Sequence, residues 1–316
     1  MLSEIFEEVL YLVIKGCMKS LSALTGRRIA TWAGWIGSCW YILDKRHRTV
    51  AMENVAIAFG DALGRENRER LVKSNFIQLA RVLLEIPSLQ NLSKHNLHRH
   101  VVVKRRQHVR SALRSGKGVV FLTAHMGNWE LMALAVSLAF DIKIGIVARP
   151  LDLPAADRVL REIRTRTGNR LIDKSRSADE IGRRLRERKA VGILLDQNAS
   201  WYEGVYVPFF GRRACTNKGL ALLALRYDAL VIPTFNHRLA DGRYEINFEP
   251  ALKLHRTGNI SEDVISNTAL FNRVIEKQIR SVPDNWFWVH RRWRLKSVPN
   301  EVRKRISHLP PEVMAQ

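Results

Sequence analysis

Cysteine is scarce, acid is short and no apolar run is long. Three cysteines, Cys17, Cys39 and Cys215, stand far apart among 316 residues. An odd, scattered set excludes a disulfide scaffold, forms no Cys-x-x-Cys metal knuckle and fits a reducing compartment. Thirty acids face 52 Lys and Arg, leaving a net charge of +22. That imbalance directs the chain toward polyanions: nucleic acid, anionic lipid headgroups or an acidic protein partner. Internal repeats, low-complexity linkers and a Gly-x-Ser-x-Gly nucleophile elbow are also missing, which argues against a Ser/His/Asp hydrolase. What remains is 46% apolar, enough to bury a real core in one large domain or two ordinary ones.

The first residues, Met-Leu-Ser-Glu-Ile-Phe-Glu-Glu, are acidic where a cleaved signal is basic. Val9 to Ile14 is cut by Lys15, and Ile29 to Leu43 gives 15 uncharged residues, short of the ~20 of a straight spanning helix. Trp32, Trp35, Trp40 and Tyr41 in that stretch favour the headgroup level of a bilayer. We expect a helix lying in or partly sunk into a membrane; a helix buried against the domain is the alternative. Residues 62–86 read as a helix, with Val72, Phe76, Leu79, Leu83 and Ile86 stepping by three or four. Residues 94–110 are basic, and His95, His98 and His100 lack the nearby acid or thiol of a metal site, so a solvated basic face is expected.

From Gly116 strands alternate with helices. Val119–Thr123, Lys143–Ala148, Ala190–Leu195 and Ala229–Phe235 read as strands, with an antiparallel strand at Tyr244–Phe248 after the Ala240-Asp241-Gly242 turn. Helices are expected from Asn128 to Phe140, from Pro154 to Gly168, from a Ser177/Glu180 capping box to about Arg188, and from Thr216 to Tyr227. The fold class is therefore α/β, a mainly parallel central sheet flanked by helices. The segments are a membrane-associating stretch (1–45), a helical region packed on the core (46–110), the α/β core (111–298) and a polar tail (299–316).

Past the ends of three strands stand His125, Arg149-Pro150 and Asp196-Gln197. Open α/β sheets bind ligands outside the carboxyl ends of their strands, so these side chains converge on one crevice. His125 is followed five residues later by Glu130. On a continuous helix that spacing turns through about 500°, which points the pair apart. With His125 on the strand-to-helix turn, Glu130 can fold back, hold one imidazole nitrogen and leave the other as a base. The bland alternative is a histidine satisfied at a helix start. With no nucleophile beside it, such a pair suits direct activation of a substrate hydroxyl that attacks an ester or thioester.

At these residues the sequence resembles the bacterial lipid A biosynthesis (late lauroyl/myristoyl) acyltransferases, within the HX4D/E glycerolipid acyltransferase superfamily. His125-x4-Glu130 looks like that signature. The likeness extends to Asn54 and Phe59, Arg149-Pro150, Asp157 with Arg164, Arg166 and Gly168, Asp196-Gln197-Asn198, Gly204 to Gly211, Val231-Ile232-Pro233 and Pro283 to Trp293. Asn198 departs from it, since many members carry a further acid there.

The resemblance implies transfer of a fatty acyl chain from acyl carrier protein to a hydroxyl of a membrane glycolipid, a lipid A precursor, at the cytoplasmic face of the bacterial inner membrane. From the N-terminal aromatic stretch and the basic surface we expect a peripheral or monotopic protein, and the resemblance calls for no cofactor or metal. It makes His125 the general base and Glu130 its partner, with Arg149, Arg164 and Arg166 as an electropositive wall and Asp196 and Gln197 in the crevice. Arg164 and Arg166 are about 200° apart on a regular helix, so only one turns inward, and Arg164 is preferred. Phe209-Phe210 is either core or acyl groove, and the Trp286–Trp293 cluster is either core or interface anchor. Lys104-Arg105-Arg106, Arg183-Arg184 with Arg186 and Arg188, and Arg212-Arg213 are candidate patches for the acidic carrier. The same chemistry on another glycolipid or a phospholipid is one alternative. A basic nucleic-acid-binding protein is the other, and it lacks any recognisable nucleic-acid motif.

Overall fold

The computed structural model describes residues 2–24, 26–174 and 177–294, so the tail expected at 299–316 lies outside the described residues. Four helices come first: α1 (Leu2–Leu21), α2 (Gly26–Leu43), α3 (Lys45–Phe59) and α4 (Arg65–Glu85). Then follow α5 (Leu97–His100), β1 (Val101–Lys104) and α6 (Arg106–Arg114). Alternation runs through β2 (Val119–Thr123), α7 (Trp129–Phe140), β3 (Ile144–Ala148), α8 (Pro154–Thr165), β4 (Arg170–Asp173), α9 (Ser177–Arg186) and β5 (Ala190–Leu194). The rest is β6 (Gly204–Phe209), β7 (Arg212–Asn217), α10 (Gly219–Arg226), β8 (Leu230–Arg238), β9 (Tyr244–Phe248) and α11 (Ile260–Ser281).

Seven strands form one sheet in the order β1-β9-β8-β2-β5-β3-β4, parallel throughout except where β9 runs against β8. This is the α/β sheet expected. Three elements differ from expectation. Val101–Lys104, inside the stretch read as helical, pairs with β9 as an edge strand. β4 was hidden by its brevity and its charged ends. Residues 204–217 form an antiparallel hairpin, so Thr216 lies within a strand and the following helix starts at Gly219. Phe210 and Gly211 close that hairpin with φ of 53° and 73°, the left-handed pair that matches strand twist in a two-residue turn.

The period of two along the strands sorts the core. Val120, Leu122, Val191 and Val231 face one apolar layer, built with α4, α9, α10 and α11; Val119, Phe121, Ala190 and Ile232 face the other, built with α6, α7 and α8. All five β2 residues are buried, as a central parallel strand covered on both faces requires. Phe209, Phe210, Trp286 and Trp288 are buried in the first layer, with Trp286 and Trp288 edge-to-face at 4.6 Å between ring centres. Phe209, Phe210, Trp286 and Trp288 are thus core packing, whereas Phe287 and Trp293 are half-buried and Arg291 is exposed.

The N-terminal helices differ. α2 crosses α4 so closely that a Cβ on Gly37 would stand 2.4 Å from Ile77 Cα, and it turns Trp32, Trp35, Ile36 and Ile42 outward. α1 exposes Ile5, Phe6, Val9, Leu12 and Val13. No described helix is long and apolar enough to cross a membrane.

Candidate active site

The site follows from strand register. Thr123 of β2 pairs with Leu194 of β5. His125 and Asp196 each lie two residues further on, so neighbouring parallel strands, about 4.8 Å apart, deliver them side by side. His125 Nδ1 lies 2.9 Å from Asp196 Oδ1, and the His125 amide donates to Asp196 Oδ2 at 3.1 Å. Trp286 Nε1 donates to the same Oδ2 at 2.7 Å. Asp196 is 1% exposed. Burial alone pushes its carboxyl up, but the facing imidazole and the hydrogen bonds from His125 and Trp286 outweigh that and hold it below the ordinary carboxylate range. A carboxylate only accepts, so Nδ1 carries the proton and Nε2 is the basic nitrogen. The ring packs edge-on against Trp129 at 5.3 Å and beside Phe287 at 5.9 Å.

Glu130 does not hold the imidazole, contrary to the sequence expectation. It sits in the first turn of α7 and reaches across to α8, where Arg164 donates to it through Nε at 2.8 Å and Nη2 at 2.5 Å. Both side chains are nearly buried. Desolvation works against the guanidinium's charge, yet Glu130 outweighs it and holds Arg164 above its ordinary value. The physical reason is direction: the neighbouring strand end offers Asp196 to Nδ1, whereas a helical side chain one turn on points to the next helix.

The three arginines do not make one wall. Arg164 turns inward, as preferred, but its charge is spent on Glu130. Arg166 donates to the carbonyls of Leu89 and Leu92. Arg149 is exposed on the loop after β3, paired with Asp152 at 2.6 Å. Gln197 is half-buried beside Asp196. Among the carrier patches, Arg105 pairs with Glu249, Arg183 with Glu180 and Glu187, and Arg184 is buried against the carbonyls of Lys143 and Ala190. Among the described residues His95, His98 and His100 join no group that could hold a metal.

The turn carrying His125 is clamped from two sides. Asn236 of β8 accepts from the Asn128 amide at 2.8 Å and donates to the carbonyls of Met126 and Asn128. Gly127, at φ 60°, lies so close that a Cβ would meet Asn236 Oδ1 at 2.2 Å. Opposite, the Gly127 amide donates to Asn285 O at 3.0 Å and the Phe287 amide to His125 O at 3.0 Å. Asn128 caps α7 through Leu131 N and donates to Glu85, itself held by Tyr244 and Arg238. The amides of residues 125–128 all have protein acceptors, so none is free for a substrate oxyanion. Beneath Trp129 an apolar cavity of about 40 Å³ runs between α7 and the sheet, lined by Phe121, Met132, Val136, Ile144, Ile146 and Gly192.

Sequence reading found His125 but missed Asp196 as its partner, along with Asn236, Asn128 and Glu85. The equal offset of His125 and Asp196 beyond their strands was the available signal.

Comparison with known proteins shows the family. A family described as bacterial lipid A biosynthesis acyltransferase matches residues 6–295. The chain is 25% identical over 300 residues to the lipid A biosynthesis lauroyltransferase of Escherichia coli K12, covering 88% of this chain and 95% of that protein. It is 24% identical over 257 residues to a lipid A biosynthesis acyltransferase of Haemophilus influenzae, covering 81% and 77%. With the lipid A biosynthesis palmitoleoyltransferase of Escherichia coli K12 it shares 23% over 256 residues, covering 80% and 81%.

Proposed function

Because the chain belongs to the bacterial lipid A biosynthesis acyltransferase family, and is thus an acyltransferase of lipid A synthesis, we propose that His125 and Asp196 are its base and base-orienting acid in direct transfer from an acyl thioester to a lipid hydroxyl. The observation that carries this reading is the buried Asp196 on Nδ1, with Nε2 left as the basic nitrogen at the sheet's carboxyl edge. The acceptor hydroxyl gives its proton to Nε2 as its oxygen attacks the thioester carbonyl. The C–S bond then breaks, and the imidazolium returns that proton to the departing thiolate, so no acyl-enzyme forms. Asp196 stays ionised throughout and steadies the imidazolium. With the amides of residues 125–128 engaged, the amino-terminal pole of α7 is left to face the oxyanion.

We place the fatty chain along the apolar side chains beneath Trp129 that line this cavity, beside the His125 ring. The donor is acyl carrier protein, whose acidity suits a chain of net charge +22. Glu130 and Arg164 act as a strut between α7 and α8. Such a protein works at the cytoplasmic face of the inner membrane, held by its N-terminal helices. The test is acyl transfer by the purified protein from acyl carrier protein to a lipid A precursor, read by mass spectrometry. One acyl chain gained by wild type and none by a folded His125→Ala protein supports the reading; normal transfer by that variant overturns it.

A further inference from the structure

α1 and α8 lie side by side in parallel. Glu8 Oε2 meets Arg158 Nη1 at 2.6 Å, Tyr11 donates to Glu162 at 2.6 Å, and Lys15 donates to Glu162 at 2.9 Å, so numbers rise together along both helices. α8 starts at Pro154, just past the carboxyl end of β3. The first turns of α1, with exposed Ile5 and Phe6, therefore reach the same sheet edge as the catalytic pair. Leu151 and Leu153, 44% and 45% exposed, stand there on the loop into α8. On the other face of the sheet, the loop between β5 and β6 carries Trp201 and Tyr202, packed edge-to-face at 5.7 Å and exposed. Asp196 begins the β5–β6 loop, and β5 lies between β3 and the strand that carries His125, β2.

We propose that the mouth of the catalytic crevice is itself a bilayer-docking surface, in which the β3–α8 and β5–β6 loops and the start of α1 enter the lipid interface. The charge pattern favours lipid over a protein partner. The cations stand on the β5–β6 side, where Arg291 and Arg294 are exposed and Asn198 donates to the Arg294 carbonyl at 2.6 Å. On the other side Arg149 pairs with Asp152, and Glu4 and Glu8 are exposed on α1 beside Ile5 and Phe6. Tryptophan and tyrosine beside arginine fit the headgroup level, and apolar side chains beside them fit the acyl boundary. Docked this way, the crevice opens onto the bilayer, so a lipid reaches His125 without leaving the interface. The inference rests on the proposed lipid acceptor for its purpose, but its test needs no turnover.

The probe is sedimentation with vesicles of phosphatidylethanolamine and phosphatidylglycerol. Leu151→Asp with Leu153→Asp, and separately Trp201→Ser with Tyr202→Ser, should lower bound protein by about tenfold at unchanged melting temperature, because buried apolar area sets such partitioning. Unaltered binding by both variants overturns the proposal. A second readout guards against misfolding: a polarity-sensitive fluorophore on Leu153→Cys in a Cys17→Ser, Cys39→Ser background should shift to the blue when vesicles are added. No shift, or a shift that follows protein concentration without vesicles and so reports a second copy, contradicts it. Unaltered vesicle binding by both variants, with intact transfer in detergent, would sink this inference alone, and docking as predicted without any transfer by wild type would sink the proposed function alone.

Discussion

Two carboxylates flank His125, and they occupy different kinds of place. Asp196 comes from the neighbouring strand end and meets the imidazole; Glu130 comes from the helix that follows His125 and meets Arg164. Both are buried, yet one is placed to act on a proton and the other to tie two helices together. Proximity in sequence therefore marks the strut, and proximity in the sheet marks the partner of the base.

The sharpest way to break this contrast is to remove each acid in turn. Asp196→Asn should cost about three to four orders of magnitude in kcat, since an amide can favour the wrong imidazole tautomer, and His125→Ala should cost at least as much. Steady-state rates of lipid acylation check both. Glu130→Gln should act first on stability: leaving Arg164 buried without its counter-ion costs about 3–5 kcal/mol, visible in denaturant unfolding. Adding Arg164→Met should recover part of that loss, which a purely catalytic Glu130 would not show.

Gly127→Ala should cost about 1–3 kcal/mol and also lower kcat, because positive φ and the contact with Asn236 both oppose a side chain. Acid sharpens the comparison further. The folded value of Asp196 is depressed, so the stability it contributes is present above its unfolded value, about 3.9, and is lost as pH falls through the folded value. Wild type should therefore lose stability more steeply below about pH 4 than Asp196→Asn does. The smallest effect lies far from the site. Asp44 caps α3, and the His47 amide, foremost, holds its carboxyl down at about 2. Asp44→Ala should cost about 1 kcal/mol in thermal unfolding and leave transfer untouched.

The sheet and its carboxyl-edge crevice were legible because β2, β3 and β5 are continuous apolar runs closed by reactive side chains. His125 was legible for the same reason. Its partner was not: choosing Asp196 over Glu130 requires knowing that β5 lies beside β2 in register, a tertiary fact that no five-residue spacing contains. The arginines illustrate the same limit. Helical periodicity separated Arg164 from Arg166, but it could not show that Glu130 consumes the first and two carbonyls the second. The β6–β7 hairpin was missed because only the paired strand reveals the turn at Phe210 and Gly211. Asn236, on a strand more than a hundred residues from His125, left no local signal.

The central claim is that Asp196, rather than Glu130, makes His125 a base. Single-turnover acyl transfer from acyl carrier protein to a lipid A precursor, measured for Asp196→Asn and Glu130→Gln at matched folded fractions, tests it directly. The account predicts a collapse of the chemical rate in Asp196→Asn and a far smaller loss in Glu130→Gln once unfolded protein is discounted. Near-normal chemistry in Asp196→Asn beside a collapse in fully folded Glu130→Gln would contradict it.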